Sequence, residues 1–404
     1  MTTTSLTGFI ILFLVVLAVG AHLWLRSPHQ RCTSSSASVE EKTLLLHDKT
    51  VSGQNEKLGD ASIVPLAEFD WQKTEPLKLR PFKPKYHITM ALQNSTPSDL
   101  ILMDNNYLSR IRSRQETLSL HASEVMGLLP EGQAAVKELY TYLLGEYLPV
   151  RYPTMFRIVS PYPSCSDTTF HNLITNSSFP LSPPPSDPLD CLRVIAQTVE
   201  DDFFLLLPFP KLDAPTEGLE MEHKCVAFMN LHPSGFSPSS KLGLPLSQIH
   251  APVPSYEKIG PSMERFFARL SCDKLVKRMN WAMQLHPDLY CPDGNHVHQE
   301  DLETMEEVRE FGDEEAEKAR LRVELQGVWR LKKTGAVVFG FKTYMYGLRE
   351  VKGEFLEMDG GGTMKTGEAL AQAIEGLGKG NAPGMWTYKG AVRWGGAVVR
   401  WLRS

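Results

Sequence analysis

Residues 278–285 read Arg-Met-Asn-Trp-Ala-Met-Gln-Leu, with Met279, Trp281, Met283 and Leu285 alternating against Arg278, Asn280, Ala282 and Gln284. A period of two is the repeat of an extended strand, so one face of this strand is apolar and the other polar. Leu321, Val323 and Leu325 alternate with Arg322, Glu324 and Gln326 in the same way, and Ala336–Met345 reads as a third strand. Shorter apolar runs at Phe203–Leu207 and Cys225–Leu231, bounded by prolines or polar residues, read as two more. Such strands favour antiparallel pairing, with helices packed to one side of the sheet, and so an α+β fold. The helices are predicted at Ser98–Thr117, with Ser98 as N-cap, and at Ser262–Leu270. Val136, Leu139, Tyr140, Leu143, Leu144 and Tyr147 follow helical spacing up to a stop at Pro149. Asp187-Pro188 has the cap and first-turn residues of another helix.

The chain has 404 residues, 42% hydrophobic and 22% charged, the profile of a globular protein. Its net charge of −5 offers no broad basic field, which argues against nucleic acid as a partner. Gly8–Leu25 is apolar apart from His22, and Arg26, His29 and Arg31 follow it. As a helix these residues reach about 27 Å, enough for a thin bilayer. The basic flank then places the bulk of the chain in the cytosol, with the endoplasmic reticulum as the expected membrane. A cleaved signal peptide is the rival reading, against which stand the missing basic n-region and the extension through Trp24 and Leu25. The expected organisation is a membrane anchor over 1–26, a polar flexible linker over 27–80 and a globular domain over 81–404.

Motifs exclude several chemistries. The six cysteines show no C-x-x-C, so neither a zinc ribbon nor covalently attached haem is indicated, and free thiols are expected. Gly360–Thr366 resembles a phosphate loop but carries Met364 where the turn before Lys365 requires glycine. No G-x-G-x-x-G follows a strand, so no flavin or nicotinamide site is read. The acid-rich run Glu300–Glu317 lacks the ligand order of a calcium loop and reads as a solvated helix or loop. More informative is Lys241–Pro254, Lys-Leu-Gly-Leu-Pro-Leu-Ser-Gln-Ile-His-Ala-Pro-Val-Pro. Pro252 and Pro254 stiffen the backbone beside His250 and push Ala251 and Val253 toward extended geometry. A histidine held this way serves as a structural residue or as a metal ligand. His223 and His232 are its rivals, while the pair His296 and His298 reads as a loop pair that could chelate a surface metal.

The same segment, together with others in order, resembles the haem-dependent oxidative N-demethylase alpha-subunit-like family, in a fungal-type, membrane-anchored form. The likeness is carried by Tyr86–Leu92, Met103–Arg114, Tyr147–Phe156, Val199–Leu207, Lys241–Pro254, Phe266–Leu270, Lys277–Trp281, Arg322–Gln326, Lys333–Phe339 and Tyr388–Gly390. It implies haem b in a PAS-like domain, with His250 as the metal ligand. Lys241, Arg151, Arg322 and Gln326 are expected at the cofactor, with the arginines suited to carboxylates by their planar fork. Glu200, Asp202, Arg278, Asn280 and Glu324 are expected as the catalytic set, with the Glu200–Asp202 acids as partners for a protonated amine. The implied reaction is oxidative N-demethylation of a secondary methylamine by dioxygen, releasing formaldehyde, with electrons from a separate reductase. A non-catalytic haem sensor or carrier at a membrane is the alternative. The chain departs from the family pattern at Leu325, where a second arginine is usual, at Gly327-Val328, where Thr-Leu is usual, and at Phe236, where tryptophan is commoner.

Overall fold

The computed structural model describes residues 62–162, 166–211, 220–297, 299–303, 306–357 and 361–404. The predicted span at 8–25 lies outside them. Among the described residues no helix is long and apolar enough to cross a membrane.

In chain order the first ten strands are β1 (Gln93–Ser95), β2 (Met126–Leu128), β3 (Phe156–Val159), β4 (Thr168–Asn172), β5 (Ser177–Ser182), β6 (Asp202–Pro210), β7 (Met221–Met229), β8 (Leu275–Gln284), β9 (Arg320–Arg330) and β10 (Val337–Gly347). Seven of them form one sheet in the order β1-β8-β9-β10-β6-β7-β2, while β3, β4 and β5 make a small separate sheet. Every pairing in the large sheet is antiparallel. The alternation expected for 278–285 and 321–326 sets the register: Arg278 faces Gln326, Asn280 faces Glu324 and Ala282 faces Arg322. Further across, Gln326 faces Phe341, Val328 faces Phe339, and Phe339 faces Phe204. One face of the sheet is therefore a continuous row that is polar at β8 and β9 and aromatic at β10 and β6.

The opposite face meets two helical layers. Phe203, Leu205, Trp329 and Val338 share a core with the helices Tyr107–Val125, Gln133–Thr141 and Pro188–Ala196. Trp281, Leu321, Val323, Tyr344 and Tyr346 share another with Thr366–Gly376 and Ala391–Arg403. The polar row is covered by the segment holding Leu246–Ile249 and Gly260–Arg269. The expected sheet with packed helices is thus observed, but helices lie on both faces rather than one.

Several boundaries differ from expectation. Pro97–Asp99 is a single 3-10 turn, and the helix begins only at Tyr107. Pro149 does not stop its helix: a π-turn over Tyr142–Tyr147 leads into a final turn, Leu148–Arg151. There Pro149 occupies a first-turn position, where its missing N–H breaks no bond. Asp187 caps Pro188–Ala196 as predicted, its Oδ1 accepting from the Leu189 N–H at 2.9 Å. Residues 62–80, assigned to the linker on composition, lie against the body. Ile63, Leu66, Phe69 and Trp71 pack on the first core, and Arg80 makes a bidentate pair with Glu354 at 2.8 and 3.0 Å. Cys191, Cys225 and Cys291 are free thiols.

Candidate functional site

A cavity of about 500 Å³ lies between the polar row of the sheet and the segment that covers it. The volume falls in the range of cofactor and ligand pockets. Seven of the predicted site residues line it: Lys241, His250, Arg278, Asn280, Arg322, Glu324 and Gln326. Strand alternation brings the last five together, because 278 and 280 of β8 and 322, 324 and 326 of β9 share one face. Phe204, Phe339, Phe341, Phe266 and Phe267 belong to the apolar part of the lining.

His250 closes the short helix Leu246–Ile249, and its Nδ1 lies 2.9 Å from the Leu246 carbonyl oxygen. A carbonyl only accepts, so Nδ1 carries the proton and Nε2 carries the lone pair. Burial lowers the pKa of the ring, with the Leu246 bond acting weakly the other way. The imidazole is therefore neutral near pH 7. Tyr256 stacks on it at 4.7 Å with an interplanar angle of 7°. The flanking prolines do not hold the chain extended: Val253 N–H donates to the His250 carbonyl at 2.9 Å, which makes a turn. Ser255 ends this turn in the left-handed region at φ 62°.

The polar row is partly self-satisfied. Gln326 Nε2 donates to Glu324 Oε2 at 2.8 Å, which leaves the other carboxylate oxygen available. Arg322 donates to the His232 and Leu289 carbonyls, so its role is to brace the loops beside the cavity, while its buried Nε is unpartnered. Arg278 has a buried, unpartnered Nε, and burial lowers its pKa. Lys241 lies at 5.6 Å from the Phe236 ring and burial lowers its pKa as well. One residue not assigned in advance belongs here. Lys389 is 5% exposed and lines the cavity, with Nζ at 3.1 Å from Asn280 Oδ1 and bonded to the Trp281 carbonyl. Burial lowers its pKa to about 8, against the pull of Glu324. Its motif, Tyr388–Gly390, was legible, but its partners lie more than a hundred residues away, where no local pattern reaches.

Glu200, Asp202 and Arg151 are not in the cavity lining. Asp202 pairs with Arg114 at 2.8 Å and accepts from the Leu231 and His232 N–H groups. Glu200 pairs with Lys342 at 2.9 Å, and Lys342 also reaches Asp104 at 2.7 Å. Burial opposes the charge on Lys342, but Glu200, Tyr344 and Asp104 outweigh it and raise its pKa. These acids thus have buried partners within the chain instead of a free face for an amine. Arg151 donates to the Val64 carbonyl at 2.6 Å and ties down the segment that begins at 62. His223 pairs with Glu264 at 2.7 Å, and His232 is buried with Nε2 unpartnered; neither lines the cavity, whereas His296 does. His298 lies outside the described residues. The departure at Leu325 falls on the opposite face of β9, away from this cavity.

These residues suit a haem. A neutral imidazole of fixed tautomer is the donor that iron requires, and a bond from its other ring nitrogen to a carbonyl is the usual support for such a ligand. The orphaned Nε of Arg278 and the half-buried Lys241 supply cations for carboxylates, and the phenylalanines supply the apolar wall. The family model described as haem-dependent oxidative N-demethylase, alpha subunit-like matches residues 91–399, a span that takes in the whole large sheet and all seven of these residues. The chain belongs to the family of haem-dependent oxidative N-demethylase, alpha subunit-like proteins.

Proposed function

We propose that the chain binds haem b through His250 and oxidatively demethylates a secondary methylamine. The observation that carries this reading is the His250 ring itself, neutral, locked by Leu246 and set in the wall of a cavity of about 500 Å³. Arg278 and Lys241 would hold the two propionate carboxylates. Bound there, haem would supply the two-electron oxidation of an N–CH3 bond with dioxygen as oxidant, giving an imine that water splits to formaldehyde and the shorter amine. The protein's part is orientation and proton handling. Glu324, positioned by Gln326, would take the ammonium group of the substrate. Asn280 holds Lys389 Nζ at 3.1 Å, where an amine with a pKa of about 8 can accept or release a proton near neutral pH. The aromatic wall would exclude water from the reacting carbon.

In this reading the sheet, with its ligand on one face, is PAS-like. Electrons come from a separate reductase, since neither a flavin nor an iron–sulfur motif is present in the sequence. An anchor at Gly8–Leu25 would hold the domain on the membrane beside that reductase.

The test is an absorption titration of the protein with haemin, repeated on His250→Ala, followed by formaldehyde assays on a panel of methylamines with an artificial reductant. A Soret band in the wild type that shifts or disappears in the variant, with amine-dependent formaldehyde, is expected. An unchanged band in the variant removes His250 as ligand. A normal band without formaldehyde leaves a carrier or sensor.

A further inference from the structure

A second cavity, of about 390 Å³, lies on the other face of the sheet. Arg278 and Gln326 line both, but alternation along β9 and β10 gives each cavity further residues of its own. Leu325 and Gly327 of β9 and Gly340 and Lys342 of β10 line the second cavity, while Glu324, Val328, Phe339 and Phe341 line the first. Gly327 and Gly340 are directly opposed in the register, so no side chain projects from these two positions. Leu77, Leu79, Leu100, Leu275, Met279 and Leu325 make its wall apolar.

One carboxylate in this wall has no assigned partner. Asp201 is 5% exposed, lines the cavity, and its buried Oδ2 accepts no hydrogen bond among the described residues. The cations around it are committed elsewhere. Lys342 directs Nζ to the Leu102 carbonyl, Asp104 and Glu200. Arg114 donates to the Ala196, Glu200 and Asp201 carbonyls and to Asp202. Lys277 lies 3.7 Å from Asp99, both of them partly exposed at the cavity lining. Arg278 lines both cavities yet makes no ion pair with Asp201. Buried polar atoms are normally satisfied, and a lone buried carboxylate calls for a donor with positive charge.

We propose that this second cavity is a binding site for a small alkylammonium ion, its N–H groups on Asp201 and its alkyl chain among the leucines. An anionic ligand would meet Asp201 itself, and a neutral one would leave the carboxylate charge uncompensated. The site stands independently of haem. It predicts a pH dependence, because burial, reinforced by Glu200 and Asp202 and opposed by Lys342 and Arg114, raises Asp201 to about 7. Below that value the carboxyl is protonated and the cation gains no charge partner. Binding therefore strengthens as pH rises.

The experiment is calorimetric titration of the full chain with butylammonium chloride, with 1-butanol and butyrate as the uncharged and anionic comparisons. Saturable binding of butylammonium alone is expected, tightening by about tenfold from pH 6 to pH 8 for a group that titrates at about 7. Asp201→Asn should abolish it. So should Gly327→Leu, which extends a side chain into the space and leaves the acid intact; a Cβ at Gly327 meets nothing closer than 3.9 Å, and a circular-dichroism spectrum matching the wild type checks that this variant folds. Glu131→Gln, at an exposed acid that lines neither cavity, should bind as the wild type does. Absence of saturable binding overturns the proposal, as does binding that survives both Asp201→Asn and Gly327→Leu. Loss in Glu324→Gln with binding kept in Asp201→Asn would overturn it too, and would move the ammonium site to the first cavity.

Discussion

Two buried lysines show how one residue type takes opposite roles. Lys342 is 3% exposed and sits between Glu200 and Asp104, so its charge is compensated. Lys389 is 5% exposed and has only the neutral oxygens of Asn280 and Trp281. Its folded-state pKa of about 8 is below its ordinary 10.5. Between these values the unfolded chain holds a proton that the folded chain lacks, so stability from this group rises with pH. The difference in unfolding free energy between wild type and Lys389→Met should therefore move in favour of the wild type between pH 8 and pH 10. Urea denaturation at a series of pH values measures it. Parallel curves for the two proteins would show that the amine is charged throughout.

At the level of strands and helices, the fold depends on which face each residue takes. The pair of glycines at the centre of β9 and β10 illustrates it, since the two positions face each other but have different neighbours. A Cβ on Gly340 would come within 2.8 Å of the Phe203 ring and 3.1 Å of the Trp329 ring, both in the core. A Cβ on Gly327 would meet the Gly340 carbonyl oxygen at 3.9 Å and the Trp329 ring at 4.0 Å, which is ordinary contact. Gly340→Ala should thus destabilise by about 1–3 kcal/mol through overpacking, while Gly327→Ala stays near neutral or gains stability. Thermal denaturation of the two single variants decides this. Equal losses would mean that strand geometry rather than packing demands glycine here.

Across the molecule, the sheet separates two cavities, and segments distant in sequence close both. Residues 77 and 79 from the N-terminal strap reach the second cavity, and 385–389 near the C-terminus reach the first. The strap is held by Arg80 on Glu354, with the guanidinium 4.1 Å from the Tyr346 ring, and by Arg151 on Val64. A chain beginning at 81 loses these bonds and uncovers apolar surface around Trp71 and Tyr107. It should unfold at a clearly lower urea concentration than a chain beginning at 62, by the burial of several part-buried side chains at about 25 cal/mol per Å². Coincident transitions would show the strap to be dispensable.

The large strands, their apolar and polar faces, the Asp187-capped helix and most of the main cavity's polar residues follow from the local order of residues. Periodicity of two is a backbone property, and residues of one parity on β8 and β9 must share a face wherever the sheet is placed. Arg278, Asn280, Arg322, Glu324 and Gln326 were accessible for that reason, and Lys241 and His250 through the family likeness. What local order could not supply is pairing over distance. Glu200 and Asp202 look like a free acidic cluster until folding sets Lys342 and Arg114 against them. Lys389 looks like any lysine until burial beside Asn280 lowers its pKa. The polar segment 62–80 looks like a tether until a few aromatic side chains find the core. Charge compensation, desolvation and burial are sums over neighbours, and those neighbours are chosen only when the chain closes on itself.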